Sequence, residues 1–239
     1  MKIITWNCNM AFRKKAKYIL EHKPDIIIVP ECEHPDKLKF DVGTPLPTDI
    51  FWYGTNRNKG IGIFSYSSYR FKLKDEHNPD IKIILPIAVT GGEIDFTLFA
   101  VWAYNPDHYY YKYIGQVWKA ILEYEETMKL PRVIIAGDFN SNVLWDKLGR
   151  TISHTMLVDK LTSLNISSTY HRFFNFEQGK EMHPTLFMYR HQNKPYHIDY
   201  CFASADMIEK SENVEVGSYE TWTAHSDHKP LIVNFNISH

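Results

Sequence analysis

Apolar positions along this chain gather into short runs separated by polar turns. Eight of these runs, Lys2–Cys8, Asp25–Pro30, Gly60–Tyr66, Ile81–Ala88, Ile94–Trp102, Arg132–Ala136, His197–Phe202 and Leu231–Phe235, are rich in β-branched and aromatic residues and predict strands. Ile26-Ile27-Ile28-Val29 and Val133-Ile134-Ile135-Ala136 are apolar at every position rather than at alternate ones. A sheet built from them needs cover on both faces. Ala11–Glu21 predicts one helix and Arg150–Leu161 another. A third, Tyr111–Thr127, sets Ile114, Val117, Trp118, Ile121 and Leu122 at helical spacing as a core stripe. Helices alternating with strands and lying over the outer faces of two packed sheets make an α/β sandwich. No repeat, low-complexity tract or linker interrupts the pattern, so residues 1–239 are expected to form one domain.

Composition agrees with a folded chain: 44% of residues are hydrophobic and 23% charged. Cys8, Cys32 and Cys201 form no CxxC pair and are expected as reduced core thiols rather than disulfide partners or zinc ligands. The first residues carry no signal-peptide pattern, which predicts a cytoplasmic protein without membrane attachment. A net charge of −1 and an isoelectric point near 6.9 argue against tight, sequence-independent DNA binding driven by overall charge. The clusters Arg13-Lys14-Lys15 with Lys17, and Arg70 with Lys72 and Lys74, are expected as solvated faces. The histidines 154, 171, 183, 191 and 225 lack metal-ligand spacing and are expected mostly on the surface or in loops.

Chemistry concentrates where the apolar runs end. Asn7 and Asn9 close the first run, Glu31 the second, and Asp138 and Asn140 the run ending at Ala136. Asp199 opens a later strand, and Asp227-His228 precedes the last. A lone Asp or Asn at a strand end is ordinarily a turn or cap residue. Repetition of the pattern at five strand ends points instead to a shared polar rim. Glu31, Asp138, Asp199, Asp227 and the asparagines form an all-oxygen donor set, which suits Mg2+ or Mn2+ better than zinc.

Asn7 in Trp-Asn, Glu31 in Pro-Glu, Gly60-Ile61-Gly62-Ile63-Phe64, Tyr104 in Ala-Tyr-Asn-Pro, Gly137-Asp138-Phe139-Asn140, Asp199 in His-Ile-Asp-Tyr and Ser226-Asp227-His228 occur in that order over nearly the whole chain. The ordered set resembles the endonuclease/exonuclease/phosphatase family. The resemblance implies a deoxyribonuclease-I-like, four-layered α/β/β/α sandwich of two packed mixed sheets. It further implies that Glu31 is the principal ligand of Mg2+, for which Mn2+ can substitute, with Asp227, Asn9 and Asn7 beside it. By the same resemblance Asp138 orients or deprotonates the attacking water, Asn140 holds the water or the phosphate, and Asp199 fixes a protonated, phosphate-facing His228. Tyr104 donates to a phosphate oxygen.

Asn9 stands where nuclease members often carry aspartate, and His197 where DNA-repair members commonly carry arginine. Inositol-phosphatase signatures are missing from the motifs, and the sphingomyelinase branch is often secreted. The expected activity is therefore a nuclease, acting as a monomer on DNA or RNA. A small phosphoester or nucleotide is the alternative substrate, and a non-catalytic phosphate-recognition module the reading from another class. Tyr109–Tyr111 and Phe173-Phe174 are candidates for stacking on bases, though Tyr109–Tyr111 also suits an inward-packing helix start. His183 is a candidate phosphate contact.

Overall fold

The runs that are apolar on both faces become inner strands of two six-stranded sheets. The structure is a computed structural model and describes residues 1–81, 84–105, 112–147 and 151–237. Its strands in chain order begin with β1 (Lys2–Thr5), β2 (Ile26–Cys32), β3 (Asp49–Asn56), β4 (Lys59–Ser65), β5 (Arg70–Leu73), β6 (Ile84–Thr90) and β7 (Phe96–Trp102). They continue with β8 (Val133–Asp138), β9 (Ile166–Ser168), β10 (Leu186–Phe187), β11 (Pro195–Tyr196), β12 (Asp199–Ser204), β13 (Ser211–Val216) and β14 (Leu231–Phe235). One sheet has the order β13-β14-β1-β2-β4-β3, the other β5-β6-β7-β8-β12-β9, and β10-β11 form a small hairpin. Both large sheets are mixed, since β1 runs parallel to β2 and β7 to β8 while the other pairings are antiparallel.

Alternation along each inner strand divides its side chains between two cores. Ile26 and Ile28 of β2 and Ile134 and Ala136 of β8 point into the space between the sheets. Ile27 and Val29 pack on the opposite face with Phe12, Ala16, Ile19 and Trp222. Val133 and Ile135 pack outward with Val117, Ile121, Leu157 and Leu161. Three apolar interfaces between four layers make the α/β/β/α sandwich.

The helical cover is thinner than the sequence suggests. Ala11–Glu21 does not form one helix: Phe12–Lys14 makes a 3-10 turn and α1 spans only Ala16–Leu20. Ala11 is left-handed and no side chain caps either start, so nothing nucleates a longer helix. In place of the helix expected over Tyr111–Thr127 stand α2 (Ile114–Glu123) and α3 (Glu125–Met128), with a break at Tyr124. Val117, Ala120, Ile121 and Tyr124 face inward. Leu122 is 50% exposed rather than core, because it lies about 100° around the helix from Ile121. Residues 109–111 lie outside the described residues. Arg150 does too, and α4 runs His154–Ser163 with the Ser153 hydroxyl accepting from the Met156 amide, a cap worth about 1 kcal/mol. The remaining helices are α5 (Thr169–Phe174), α6 (Ala205–Ile208) and α7 (Tyr219–Trp222).

Candidate active site

The site lies where the strand ends of both sheets meet. Asp138 ends β8 and is registered directly opposite Asp199, the first residue of β12. Opposite residues of neighbouring strands share a face, so backbone pairing alone brings two carboxylates together. Both are fully buried. Thr185 fixes Asp199 by accepting from the amides of Ile198 and Asp199 at 2.9 and 3.0 Å.

His228 completes the group. Its Nδ1 lies 2.8 Å from Asp199 Oδ2 and its Nε2 4.0 Å from Asp138 Oδ2. The Ser226 hydroxyl donates to the Asn7 carbonyl at 2.8 Å and accepts from the His228 amide at 3.0 Å. The end of β1 is thereby tied to the imidazole. Burial opposes charge on His228, but Asp199 and Asp138 outweigh it and raise its pKa to about 10. Burial raises Asp138 to about 7; Asp199 adds to the shift, while His228 and hydrogen bonds from Asn7 and Asn140 oppose it.

Asn7 bridges two carboxylates. Its Nδ2 donates to Asp138 Oδ2 at 2.9 Å and to Glu31 Oε1 at 3.3 Å, and its Oδ1 accepts from the Asn9 amide at 3.0 Å. The group it turns toward the acids is thus its NH2. Asn9 donates through Nδ2 to Asp227 Oδ1 at 3.1 Å. Asn140 donates from its backbone to Asp138 Oδ1 at 2.9 Å, and from its side chain to Asp138 Oδ2 at 3.1 Å and the Ala103 carbonyl at 2.8 Å. Tyr104, just past β7, stacks on Trp102 at 4.7 Å, and burial followed by the neighbouring Tyr53 raises its pKa.

Glu31 is the extra residue of a bulge. The β2–β4 register passes from Pro30↔Ile61 to Cys32↔Gly60, and Glu31 takes φ +63°. Its Oε2 meets the Lys59 ammonium at 3.2 Å. The rim therefore already holds a cation on this carboxylate, and the Glu31 and Asp227 carboxylates are the hard oxygen donors a divalent ion takes, while Asn7 and Asn9 turn NH2 groups toward them. Among the described residues, the tightest convergence of acidic and histidine ligand atoms is Asp138, Asp199 and His228, within 4.8 Å of one another. His228 Nδ1 is taken by Asp199 at 2.8 Å, so the imidazole offers this group only its Nε2.

Several residues of the site were not marked by the sequence pattern. Lys15 is no solvated charge: its ammonium donates to the carbonyls of Cys8 at 2.6 Å and Asn9 at 3.2 Å. Arg13 pairs at 2.8 Å with buried Glu33, whose carboxylate also accepts from the Phe12 and Arg13 amides. These contacts brace the consecutive left-handed residues Asn9, Met10 and Ala11. Cys8 and Cys32 are buried beneath, where burial raises both thiols. Lys229 is wholly buried, donates to the Asp227 carbonyl at 3.2 Å and is lowered by burial to about 8. Phe173 is exposed, whereas Phe174 packs on Tyr170 and His183.

His154, expected on the surface, is buried behind this site, with Nδ1 3.1 Å from Ser141 Oγ. It caps no exposed loop because α4 packs inward there, next to Tyr200. Burial lowers both His154 and His197 from 6.5 to about 4. Between those values the unfolded chain takes up protons that the folded chain refuses. Asp138, raised to about 7, takes up a proton in the folded chain over the same range and offsets one imidazole, so stability should fall as pH drops from 6.5 toward 4 by up to roughly 1.4 kcal/mol per pH unit net. Urea midpoints at pH 7, 6 and 5 would show the decline, and His154→Gln should make it shallower; a midpoint indifferent to pH would contradict this account.

The model of the Endonuclease/Exonuclease/phosphatase family matches residues 4–228. The chain belongs to this family. Members of the endonuclease/exonuclease/phosphatase family hydrolyse phosphoric esters, and the chain is such a hydrolase. Solved structures share its fold. A 3′-5′ exonuclease from Neisseria meningitidis superposes with a TM-score of 0.69 at 22% identity, covering 99% of this chain and 100% of its own. A 3′ phosphatase from Neisseria bound to product DNA hairpin gives 0.68 at 21% identity, with 98% and 99% covered. The endonuclease domain of TRAS1, a telomere-specific non-LTR retrotransposon, gives 0.66 at 16% identity, with 100% and 99% covered. No curated protein matches the chain by sequence. Among the described residues no helix is long and apolar enough to cross a membrane.

Proposed function

We propose that this family member is a divalent-cation-dependent nuclease that hydrolyses phosphodiester bonds of DNA or RNA by in-line attack of water. The observation that carries the reading is a buried carboxylate near its neutral form, Asp138, set against a charged imidazole, His228. Asp138 takes the proton of the attacking water, and Asn140 holds that carboxylate and the water in line. His228, kept charged by Asp199, donates to a phosphate oxygen where negative charge grows. Tyr104 donates to another, and Asn7 holds Asp138 and Glu31 in register. Mg2+, or Mn2+ in its place, held by Glu31 and Asp227 with Asn9 and Asn7 alongside, would supply positive charge at the phosphoryl and leaving oxygens.

A polyanionic substrate is favoured by positive charge on the Asp227 side, chiefly Arg190, since Lys15 is turned onto the Cys8 and Asn9 carbonyls and Lys17 faces Asp41. Lys15, Arg190 and Lys17 lie close enough to His225 to lower its pKa, after the larger effect of burial. The exonuclease and endonuclease activities named for the structural relatives favour the same substrate class. The 3′ phosphatase activity named for the other relative favours a terminal phosphomonoester as the second reading.

Purified protein should cut supercoiled plasmid or end-labelled single-stranded DNA or RNA in Mg2+ and stop when EDTA is added. Release of inorganic phosphate from small esters or 3′ termini, with chains left uncut, would replace the nuclease with the phosphatase. For the active substrate, kcat/KM should rise through about pH 7 as Asp138 loses its proton and fall toward about pH 10 as His228 loses its own. A rate without either limb between pH 5.5 and 10.5 would remove these two residues from the chemistry.

A further inference from the structure

Lys59 and Glu31 meet through the backbone rather than by the chance reach of two long side chains. The β2–β4 register places Cys32 opposite Gly60 and Pro30 opposite Ile61, so the bulged Glu31 is turned out beside the start of β4, where Lys59 stands. Both carboxylate oxygens have protein partners: Asn7 Nδ2 on Oε1 and the Lys59 ammonium on Oε2. The same ammonium sits 5.3 Å from the centre of the Trp102 ring, itself 5% exposed. The lysine thus has two attractors, a carboxylate and an aromatic face. A divalent ion on Glu31 competes with one of them and leaves the other intact.

We infer that Lys59 is the resident counter-ion of Glu31, paired with its carboxylate and displaced from it when a divalent cation binds. This rests on the cation site proposed at Glu31. The consequence is a site whose acids are neutralised when no ion is present and whose affinity for the ion is held down. Displaced toward Trp102, the lysine stays at the rim beside the incoming phosphate, so cation binding converts an internal ion pair into a free positive charge facing the substrate.

Isothermal titration of Mn2+ into substrate-free wild-type, Lys59→Met and Lys59→Arg proteins tests the displacement. Lys59→Met should bind Mn2+ about fivefold more tightly, the scale of a half-exposed ion pair, and Lys59→Arg should stay within about twofold of wild type. A thermal double-mutant cycle in EDTA with Glu31→Gln should show that Lys59→Met lowers Tm when Glu31 is present and has no such effect without it. At saturating Mn2+ that coupling should vanish. Equal Mn2+ affinity of wild type and Lys59→Met overturns the inference and leaves the cation site standing, as does a coupling that survives saturation. No Mn2+ binding by either protein overturns the cation site and the displacement together.

Discussion

Asp138→Asn should lower kcat/KM by about a thousandfold while leaving a folded protein. The carboxylate is surrounded by donors: the Asn140 backbone on Oδ1, and the side-chain NH2 groups of Asn7 and Asn140 on Oδ2. Asparagine can accept the first, but its own NH2 then faces two others and no base remains to take a proton. His228 also loses one of the three carboxylate charges that raise it, so its pKa should fall from about 10 while the contact with Asp199 persists. Rates on the active substrate together with an NMR titration of the imidazole would establish both effects. Retention of more than about a tenth of the wild-type rate would exclude Asp138 as the general base.

Gly137→Ala should cost about 3–5 kcal/mol, measurable by urea denaturation without any activity assay. Gly137 has φ +149°, and a Cβ placed on it would lie 1.8 Å from the Val101 carbonyl oxygen. That oxygen belongs to the neighbouring strand, where Val101 is registered opposite Gly137, so no side chain can swing aside to make room. Separation of β7 from β8 would displace Asp138 and Trp102, the next registered pair, and activity should fall with stability. A variant of near-wild-type stability would show that the backbone can relax there.

The eight strands expected from the sequence correspond to β1, β2, β4, β6, β7, β8, β12 and β14, and all are interior to the two large sheets. The strands that the pattern does not mark include β3, β5, β9 and β13, the four edges. Interior strands are covered on both faces and paired on both sides, which demands unbroken apolar runs such as Ile26–Val29. Edges have no such demand: Asp49–Asn56 is half-exposed along most of its length, and Ser211–Val216 buries only Val214 fully. The rim was legible for a related reason, because Asn7, Glu31, Asp138 and Asp199 are polar residues at the ends of those same runs. What the pattern could not carry depends on irregular backbone. The bulge at Glu31 selects Lys59 as its neighbour, and the left-handed turn from Asn9 to Ala11 draws in Lys15 and Glu33. Burial of His154 likewise follows from how α4 docks beside Tyr200, which local sequence does not state.

The bond between the Ser226 hydroxyl and the Asn7 carbonyl closes a loop of 219 positions, and that between Asn7 and Asp138 one of 131. Contacts so distant along the chain form late, since their loop-closure entropy is repaid only once most of the molecule is in place. A polypeptide emerging from the ribosome carries the carboxylate at Asp138 long before the imidazole at His228, and the two meet only when the last strand pairs with the first. Partly made or partly unfolded molecules therefore lack a working centre, and the ability to cut a phosphoester is confined to finished copies.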